Sequence, residues 1–579
     1  MNGFAHDERG NVAILFALTV VPLIFLAGAG VDYGRASSLR ARLQNAVDGT
    51  ALSLCQMSTK TSNAEIQTQA LKLFAAYMQD SANLVTPLSI GSNPRTITVR
   101  GNSTYRTAFA SILGLNAVDV GASSQCATPV GQIFEIAMAL DTTGSMRNAG
   151  GSGTKMAAAQ DAAKQFIDYV ESKPAFSAET RIAIVPFASG VAVDPKTYGA
   201  STSWIDSGAK SAYHWANVDF SAANAVVKAT IKSRFDIFAQ LRLLDPNWGW
   251  AGCLETLPYP LNVQDGAPTP GNPNSYFVPM FAPDEPGGAT TDRARIHKNP
   301  KQSSPETEDS YDGLNPAFHY HYNSYLDDHT SLPGCEAKGM TAAEAEMRVC
   351  KYYAPTQYRS PMSVLGIPNG PNFGCTSKPL QTLTTDKTKL KALIDSLSPS
   401  GSTNIFDGFM WAWRTISPLS VFAQGVSYGD TSVKKVIILM TDGFNSWNTN
   451  AGMGINNIND SLFGAMGYLT NSNGSKVAGT PTLAGRLVAG TPNPNSDAKA
   501  RQAIDALTRE ACTNAKARNI SVFTIGFSVP NDPIDQAGID LLRECATVPS
   551  QAYVANSSTD LISAFDDIVQ SIGKLRIIR

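Results

Sequence analysis

Between Arg9 and Asp32 the chain runs for 22 residues without a charge, and apolar side chains dominate from Val12 to Leu26. As a helix at about 1.5 Å per residue this run reaches about 33 Å, enough to cross a hydrocarbon core. A transmembrane helix over about 11–31 is therefore expected. A cleaved signal peptide is the competing reading, because Ala27-Gly-Ala29 has the A-x-A form after an apolar stretch. Against it, His6-Asp7-Glu8-Arg9 is not basic, and the run exceeds a usual signal core. A buried core helix is the third reading.

From Ala36 to about Asp80, apolar residues recur at spacings of three and four (Leu39, Leu43, Ala46, Val47, Ala51, Leu54, then Ile66, Ala70, Leu73, Tyr77), which predicts one long amphipathic helix. Alternation over Arg95–Arg100 and Ala117–Ala122 then predicts two strands. Cys55 on the helix is the natural partner of Cys126, which closes this small α+β segment.

A strand–helix alternation follows, the pattern of an α/β domain with a doubly wound, mostly parallel sheet. Phe134–Leu140, Arg181–Pro186, Lys435–Met440, Ile520–Ile525 and Ala552–Ala555 read as strands. Helices are expected over 154–171, Lys389–Leu397, Ile405–Ile416, Asp497–Arg518, Ile534–Ala546 and Thr559–Ile572. The alternation breaks between about 194 and 383, where Trp204, Trp215, Trp248 and Trp250 sit among Pro, Gly and Asn. A structureless loop of that length is implausible in a compact domain. The stretch reads as a large insertion with its own small core, stapled by two disulfides among Cys253, Cys335, Cys350 and Cys375, with all three pairings open. Residues 448–494, rich in Gly and Asn, read as a second, more flexible loop. The expected organisation is thus 1–52 with the span, 53–128 as an α+β stalk, and 129–579 as the interrupted α/β domain.

Composition adds exclusions. With 579 residues, 43% apolar and 16% charged, the chain suits two or three ordered domains. A net charge of −2 without a basic run sets nucleic acid aside. Arg9 before the apolar helix and Arg35, Arg40 and Arg42 after it would, by count alone, leave the C-terminal side in the cytoplasm. Long domains translocate largely regardless of flanking charge, and eight cysteines without a C-x-x-C favour disulfides in an oxidising compartment. Export of the body is the expectation, with Cys512 paired to Cys545.

Three short loops carry the chemistry. Asp141-Thr-Thr143-Gly-Ser145 follows the strand ending at Leu140. Gly401-Ser-Thr403-Asn404 precedes the helix from Ile405, and Thr441-Asp442-Gly443 follows the strand ending at Met440. In a doubly wound sheet ligands bind beyond the carboxyl ends of the strands, so the loops meet there. Hard oxygen donors such as these suit Mg²⁺, or Mn²⁺ in its place. Asp-x-Thr-x-Ser, then Thr403, then Asp442 resembles the metal-ion-dependent adhesion site of von Willebrand factor A domains. That resemblance implies that Thr143, Ser145 and Thr403 contact the metal and that Asp141 and Asp442 hold it directly or through water. It also implies that an acidic side chain of a protein partner completes the shell.

Arg9-Gly-Asn-Val-Ala-Ile-Leu-Phe-Ala-Leu18, Gly28-Ala-Gly-Val-Asp32-Tyr33 and Leu43-Gln-Asn-Ala-Val-Asp48-Gly-Thr-Ala-Leu52 are similar to the N-terminal segment of TadG-like Flp (Tad) pilus-assembly proteins. Val185-Pro-Phe187, Phe277–Asp284, Gly370–Cys375 and Met410–Arg414 resemble that family's von Willebrand region. The resemblance implies a bacterial inner-membrane protein with a single span and a periplasmic body serving pilus assembly or adherence. Related pseudopilins carry Glu five residues after a cleavage Gly, whereas Gly10 is followed at that distance by Leu15, against prepilin-type processing. Enzymatic chemistry finds no foothold. Gly150–Lys155 lacks the spacing of a phosphate loop, and no G-x-S-x-G or H-E-x-x-H occurs. His319, His321, Asp327, Asp328 and His329 could ligate zinc, but aromatic-rich loops hold such residues without metal. A non-catalytic binding module is therefore expected. A subunit of an ATPase or chelatase-type complex, or an envelope anchor with a vestigial metal site, is the alternative.

Overall fold

The computed structural model describes residues 9–57, 61–79, 82–91, 95–127, 132–151, 153–173, 175–285, 323, 325–326, 342–355, 363–364, 367–449, 459–469, 483–491 and 494–574. The chain divides into two compact units: Met1–Gly131 with Ser172–Ser177, and Gln132–Glu171 with Ala178–Arg579.

The first unit is led by α1 (Arg9–Cys55). Its N-terminal half is exposed and apolar, from Leu15 to Leu26, and among the described residues it is the one helix long and apolar enough to cross a membrane. Its C-terminal half turns Leu39, Leu43, Val47 and Leu54 into a small core. The single helix expected over 36–80 is in fact two. α1 ends at Cys55, and α2 (Asn63–Met78) starts afresh behind Ser62, whose side chain accepts from the Glu65 amide. The break lets α2 fold back and add Ile66, Ala70 and Phe74 to the same core. A straight continuation would have carried them away. The short strands β1 (Asn83–Leu84) and β2 (Ser89–Ile90) pair with β3 (Thr96–Arg106), which pairs antiparallel along its length with β4 (Ala117–Ala127). Ile97 and Val99 alternate inward, as the period of two requires. Cys55 bridges to Cys126 across this core.

The second unit holds a six-stranded sheet built from β5 (Ile133–Asp141), β6 (Arg181–Phe187), β9 (Gln381–Thr384), β10 (Val433–Thr441), β11 (Ser521–Phe527) and β12 (Ala552–Ala555). The spatial order is β12-β11-β10-β5-β6-β9, parallel throughout except for the edge strand β9. The central strands are buried almost throughout and read as continuous apolar runs, as expected for a sheet covered on both faces. The helices are α3 (Lys155–Ser172), α4 (Ala225–Thr230), α5 (Arg234–Leu241), α6 (Ala342–Met347), α7 (Lys387–Asp395), α8 (Ile405–Ile416), α9 (Asp497–Lys516), α10 (Gln536–Cys545) and α11 (Ser558–Lys574). Cys512 and Cys545 link α9 to α10.

Much of the described stretch between β6 and β9 joins the core of the sheet, while Cys253, Met280, Ala282 and Phe373 form a separate, smaller cluster with Leu462, Phe463 and Tyr468. Trp204, Phe277 and Trp248 join one continuous cluster with Phe187, Phe409 and Trp411. The rings of Trp204 and Phe277 lie 6.4 and 5.1 Å from that of Trp411. The aromatic area exposed by α8, which is buried on every side, is too large to leave uncovered, and the insertion is its cover. Cys253 pairs with Cys375; Cys335 lies outside the described residues. Within 448–494, the described residues 459–469 are packed: Leu462, Phe463, Met466 and Tyr468 are buried, and Phe463 packs on Tyr468. A short hairpin, β7 (Ser363–Val364) with β8 (Ile367–Pro368), completes the insertion.

Candidate metal centre

The parallel register brings the loops that carry Asp141 and Asp442 to the same end of the sheet. Leu140 on β5 is level with Met440 on β10, so Asp141 and Thr441 leave the sheet as neighbours. The Thr441 hydroxyl donates to Asp141 Oδ2 at 2.6 Å, and the Thr143 amide donates to Asp141 Oδ1 at 2.8 Å. One residue on, the Ser145 hydroxyl donates to Asp442 Oδ1 at 2.7 Å. Thr143 Oγ1 lies 3.1 Å from Ser145 Oγ. Since Ser145 spends its proton on Asp442, Thr143 is the donor of that second contact. A chain of hydroxyls thus runs from one strand-end loop into the carboxylate of the next.

The Thr403 loop is locked to the first by a reciprocal pair of backbone bonds, Ser400 N to Thr142 O at 2.8 Å and Gly144 N to Gly401 O at 2.9 Å. Gly401 has φ +92°, and a Cβ there would stand 2.6 Å from Thr376 Oγ1, so both backbone and space call for glycine. Thr403 is buried, and its carbonyl accepts from the Ser446 amide at 2.8 Å, which ties its loop to that of Asp442. Asn404 caps α8, its side chain accepting from the Asp407 amide. The three loops therefore converge, as their positions beyond β5, before α8 and beyond β10 predict. Asp141, Thr143, Thr403 and Asp442 are buried and Ser145 is partly exposed.

Several participants escaped the sequence reading. Lys155, the first residue of α3, is fully buried and reaches Asp442 Oδ2 at 3.0 Å and Asp532 Oδ2 at 2.6 Å. Asp532 lies between β11 and α10 and also accepts from Asn148 Nδ2 at 2.8 Å. Asn445 accepts from the Ile405 amide and donates to Asp505 on α9. One signal existed: Lys155 lies on the stripe continued by Ala159, Ala162 and Phe166, and a lysine on an apolar face needs a buried partner.

Electrostatics set this cluster apart. Burial, reinforced by the charge of Asp442, pushes the Asp141 carboxyl up to about 7. Burial also raises Asp442, opposed chiefly by Lys155. Asp442 and Asp532 share the ammonium of Lys155, whereas Asp141 is held by neutral donors, the Thr143 amide and the Thr441 hydroxyl. Two buried carboxyl groups with hydroxyl oxygens between them are hard oxygen donors, the type that divalent cations such as Mg²⁺ accept. Among the described residues, no three His, Cys, Asp or Glu side chains gather in one place, so any metal here would depend on the hydroxyls. The zinc candidates at 319–329 lie outside the described residues. Beside the Asp442 loop opens a cleft of about 350 Å³ lined by Phe444, Trp447, Asn448, Asp497 and Arg501. Phe444 is exposed, with the Arg501 guanidinium 4.2 Å from its ring centre.

Comparison with known proteins bears first on the N-terminus. Residues 10–53 match the Tad family described as Flp pilus-assembly TadE/G-like. No curated protein matches the sequence. Among solved structures, the chain is similar to the pilus adhesin SpaC from Lactobacillus rhamnosus GG (9% identity, TM-score 0.31), over 86% of this chain and 35% of that one. It is similar to the adhesive tip pilin GBS104 from Group B Streptococcus agalactiae (10% identity, TM-score 0.32), over 76% of this chain and 100% of that one. It is also similar to the vWF domain of the type V pili tip protein Mfa5 from Porphyromonas gingivalis (20% identity, TM-score 0.22), over 36% of this chain and 79% of that one. The chain thus spans about a third of the length of SpaC.

Proposed function

We propose that this Tad-type protein is a membrane-anchored, non-catalytic binding module whose von Willebrand-like α/β body grips an acidic side chain of a pilus component or surface ligand through Mg²⁺. The observation that carries the reading is the hydroxyl chain from Thr143 through Ser145 to Asp442, set against a buried Asp141 that, among the described residues, is held by neutral donors. Asp141, Thr143, Ser145, Thr403 and Asp442 would hold the ion. A bound Mg²⁺ supplies a hard electrophilic position at which a partner carboxylate can replace a water.

The chain's own residues do the rest. Thr441 and the Thr143 amide orient Asp141, Lys155 orients Asp442, and the Gly144–Gly401 bond holds the two hydroxyl loops at one spacing. A partner reaching the ion would meet Phe444 and the neighbouring cleft, an exposed aromatic of the kind that anchors interfaces. The doubly wound reading is supported by the strand order, in which β5 is central and later strands are laid down on both sides of it. The exposed apolar run of α1 supports a single span, and the disulfides support a body exported to the periplasm.

Lys155 favours a second reading, in which its ammonium already serves as the counter-ion and the protein is an envelope anchor with a vestigial site. Calorimetric titration of Mg²⁺ into EDTA-stripped full-length protein decides between them. One saturable site, lost in Asp141→Ala while the fold is retained, is expected. Absence of metal binding by the intact protein would sink the metal-dependent reading, and unchanged partner capture in EDTA would do the same.

A further inference from the structure

The connection between β3 and β4 presents a second apolar surface, fastened to the side of α1. Residues 107–116 form a closed tip: the Thr107 amide donates to the Asn116 carbonyl at 3.2 Å, and Gly114 turns the chain at φ +90°. The tip is pinned to one face of α1 at two positions, Gly28 and Asp32, four residues apart and therefore one above the other. At Gly28 a Cβ would stand 2.6 Å from Phe109 Cβ and Cγ, so the phenylalanine occupies the space glycine leaves free. Asp32 accepts from the Ala108, Phe109 and Ala110 amides at 2.9, 2.8 and 2.8 Å, and from the Tyr105 hydroxyl at 3.1 Å. Four donors on one carboxylate hold the tip at a fixed height along the helix.

That height is the end of the apolar run. Leu26 is 70% exposed and precedes Gly28 by only about 3 Å of helix rise. At the same level the tip leaves Phe109, Ile112 and Leu115 41, 67 and 54% exposed, a costly arrangement in water for a loop otherwise so fully bonded. Exposed Tyr33 and the cations Arg35 and Arg106 follow immediately, in the order in which side chains meet hydrocarbon, interface and phosphate at a bilayer surface.

We infer that the 107–116 tip is a membrane-docking element: Phe109, Ile112 and Leu115 enter the leaflet beside the C-terminal end of the α1 span, with Tyr33, Arg35 and Arg106 at the headgroups. The inference rests on the reading of α1 as a span and adds a second point of attachment. One helix crossing a bilayer leaves its body free to tilt; a clamped apolar tip beside it fixes the base of the first unit on the surface. The occupant is lipid, because the exposed face is continuous with the exposed face of the span.

The test uses full-length protein in vesicles of phosphatidylethanolamine and phosphatidylglycerol, with p-benzoylphenylalanine placed singly at Leu18, Ile112 or Gln125. Gln125 is exposed on β4, about 27 Å along the strand from the tip. After irradiation, lipid adducts are expected at positions 18 and 112 and absent at 125. An adduct at 18 without one at 112 overturns the docking tip while keeping the span. Adducts equal at 112 and 125 also overturn it. No adduct at 18 overturns the span reading itself, and the docking inference with it.

Discussion

Lys155 and Asp442 form a buried ion pair, Nζ to Oδ2 at 3.0 Å, and the same ammonium reaches Asp532 at 2.6 Å. Both Lys155 and Asp442 side chains are wholly removed from solvent. The pair therefore connects three segments, the start of α3 and the loops beyond β10 and β11. It also sets how much negative charge the proposed site would present to a divalent ion.

Lys155→Met would delete this cation while keeping most of its apolar stem. Breaking a buried pair by removing one partner costs about 3–5 kcal/mol, because the other charge is left uncompensated. Metal-free protein is expected to unfold at correspondingly lower denaturant. Saturating Mg²⁺ should restore more stability to the variant than it adds to wild type, since the ion then carries the whole neutralisation. Equal Mg²⁺ increments in the two proteins would show that Lys155 and the ion do not share the charge of this site.

The raised Asp141 carboxyl sets a pH dependence. Its ordinary value of 3.8 applies to the unfolded chain, and about 7 to the metal-free native state. Between these values the native state holds the proton that the unfolded state has lost. Stability from this group therefore falls as pH rises from about 4 to about 7 and is flat above, by an amount on the order of 4 kcal/mol. Metal must displace that proton, so Mg²⁺ affinity should climb about tenfold per pH unit below 7 and level off above it. Asp141→Asn should remove both slopes, which paired denaturation and titration series from pH 5 to 8 would reveal.

In the insertion, Glu255 is buried between the guanidinium groups of Arg234 and Arg486. Arg234 also donates to the carbonyls of His214 and Pro279. Glu255→Gln would leave two buried cations without their carboxylate, with an expected loss of about 3–5 kcal/mol. Because Arg486 comes from the 483–491 segment, limited proteolysis should cut there first in the variant. A cleavage pattern like that of wild type would count against the triad as the fastening of that segment.

Cys55 and Cys126 of the first unit are bridged across a sequence separation of 71 residues. Replacing both by Ser should cost this small core about 2–5 kcal/mol. Hydrogen exchange of β3 and β4 amides should accelerate accordingly, with the second unit's sheet unaffected.

The local elements were largely legible from pattern alone. The helix over Ile405–Ile416 and the strand at Ala552–Ala555 have the bounds that their sequence predicts, and the buried strands at the centre of the sheet extend theirs by only a residue or two. Burial of both faces leaves apolar runs too marked to misread. The break after Cys55 was also written in the chain as Ser62-Asn-Ala-Glu65, a helix-start signature that the continuous heptad-like spacing concealed. The packing of the insertion was not legible, because no local pattern says that Trp204 and Phe277 pack on Trp411 as well as on one another.

The candidate site divides the same way. Asp141, Thr143, Ser145, Thr403 and Asp442 could be named from sequence because each follows a strand or opens a helix, and parallel topology brings such points together. Lys155, on an apolar helix face, called for a buried partner, but its partners, 287 and 377 residues away, could not be picked out, because nothing local distinguishes Asp442 or Asp532 as the carboxylate it meets. Side-chain periodicity reports what a segment buries, and hence the elements and the strand-end loops. Which charge neutralises which depends on distances of a few ångströms between segments far apart in the chain, and only the packed tertiary structure sets those.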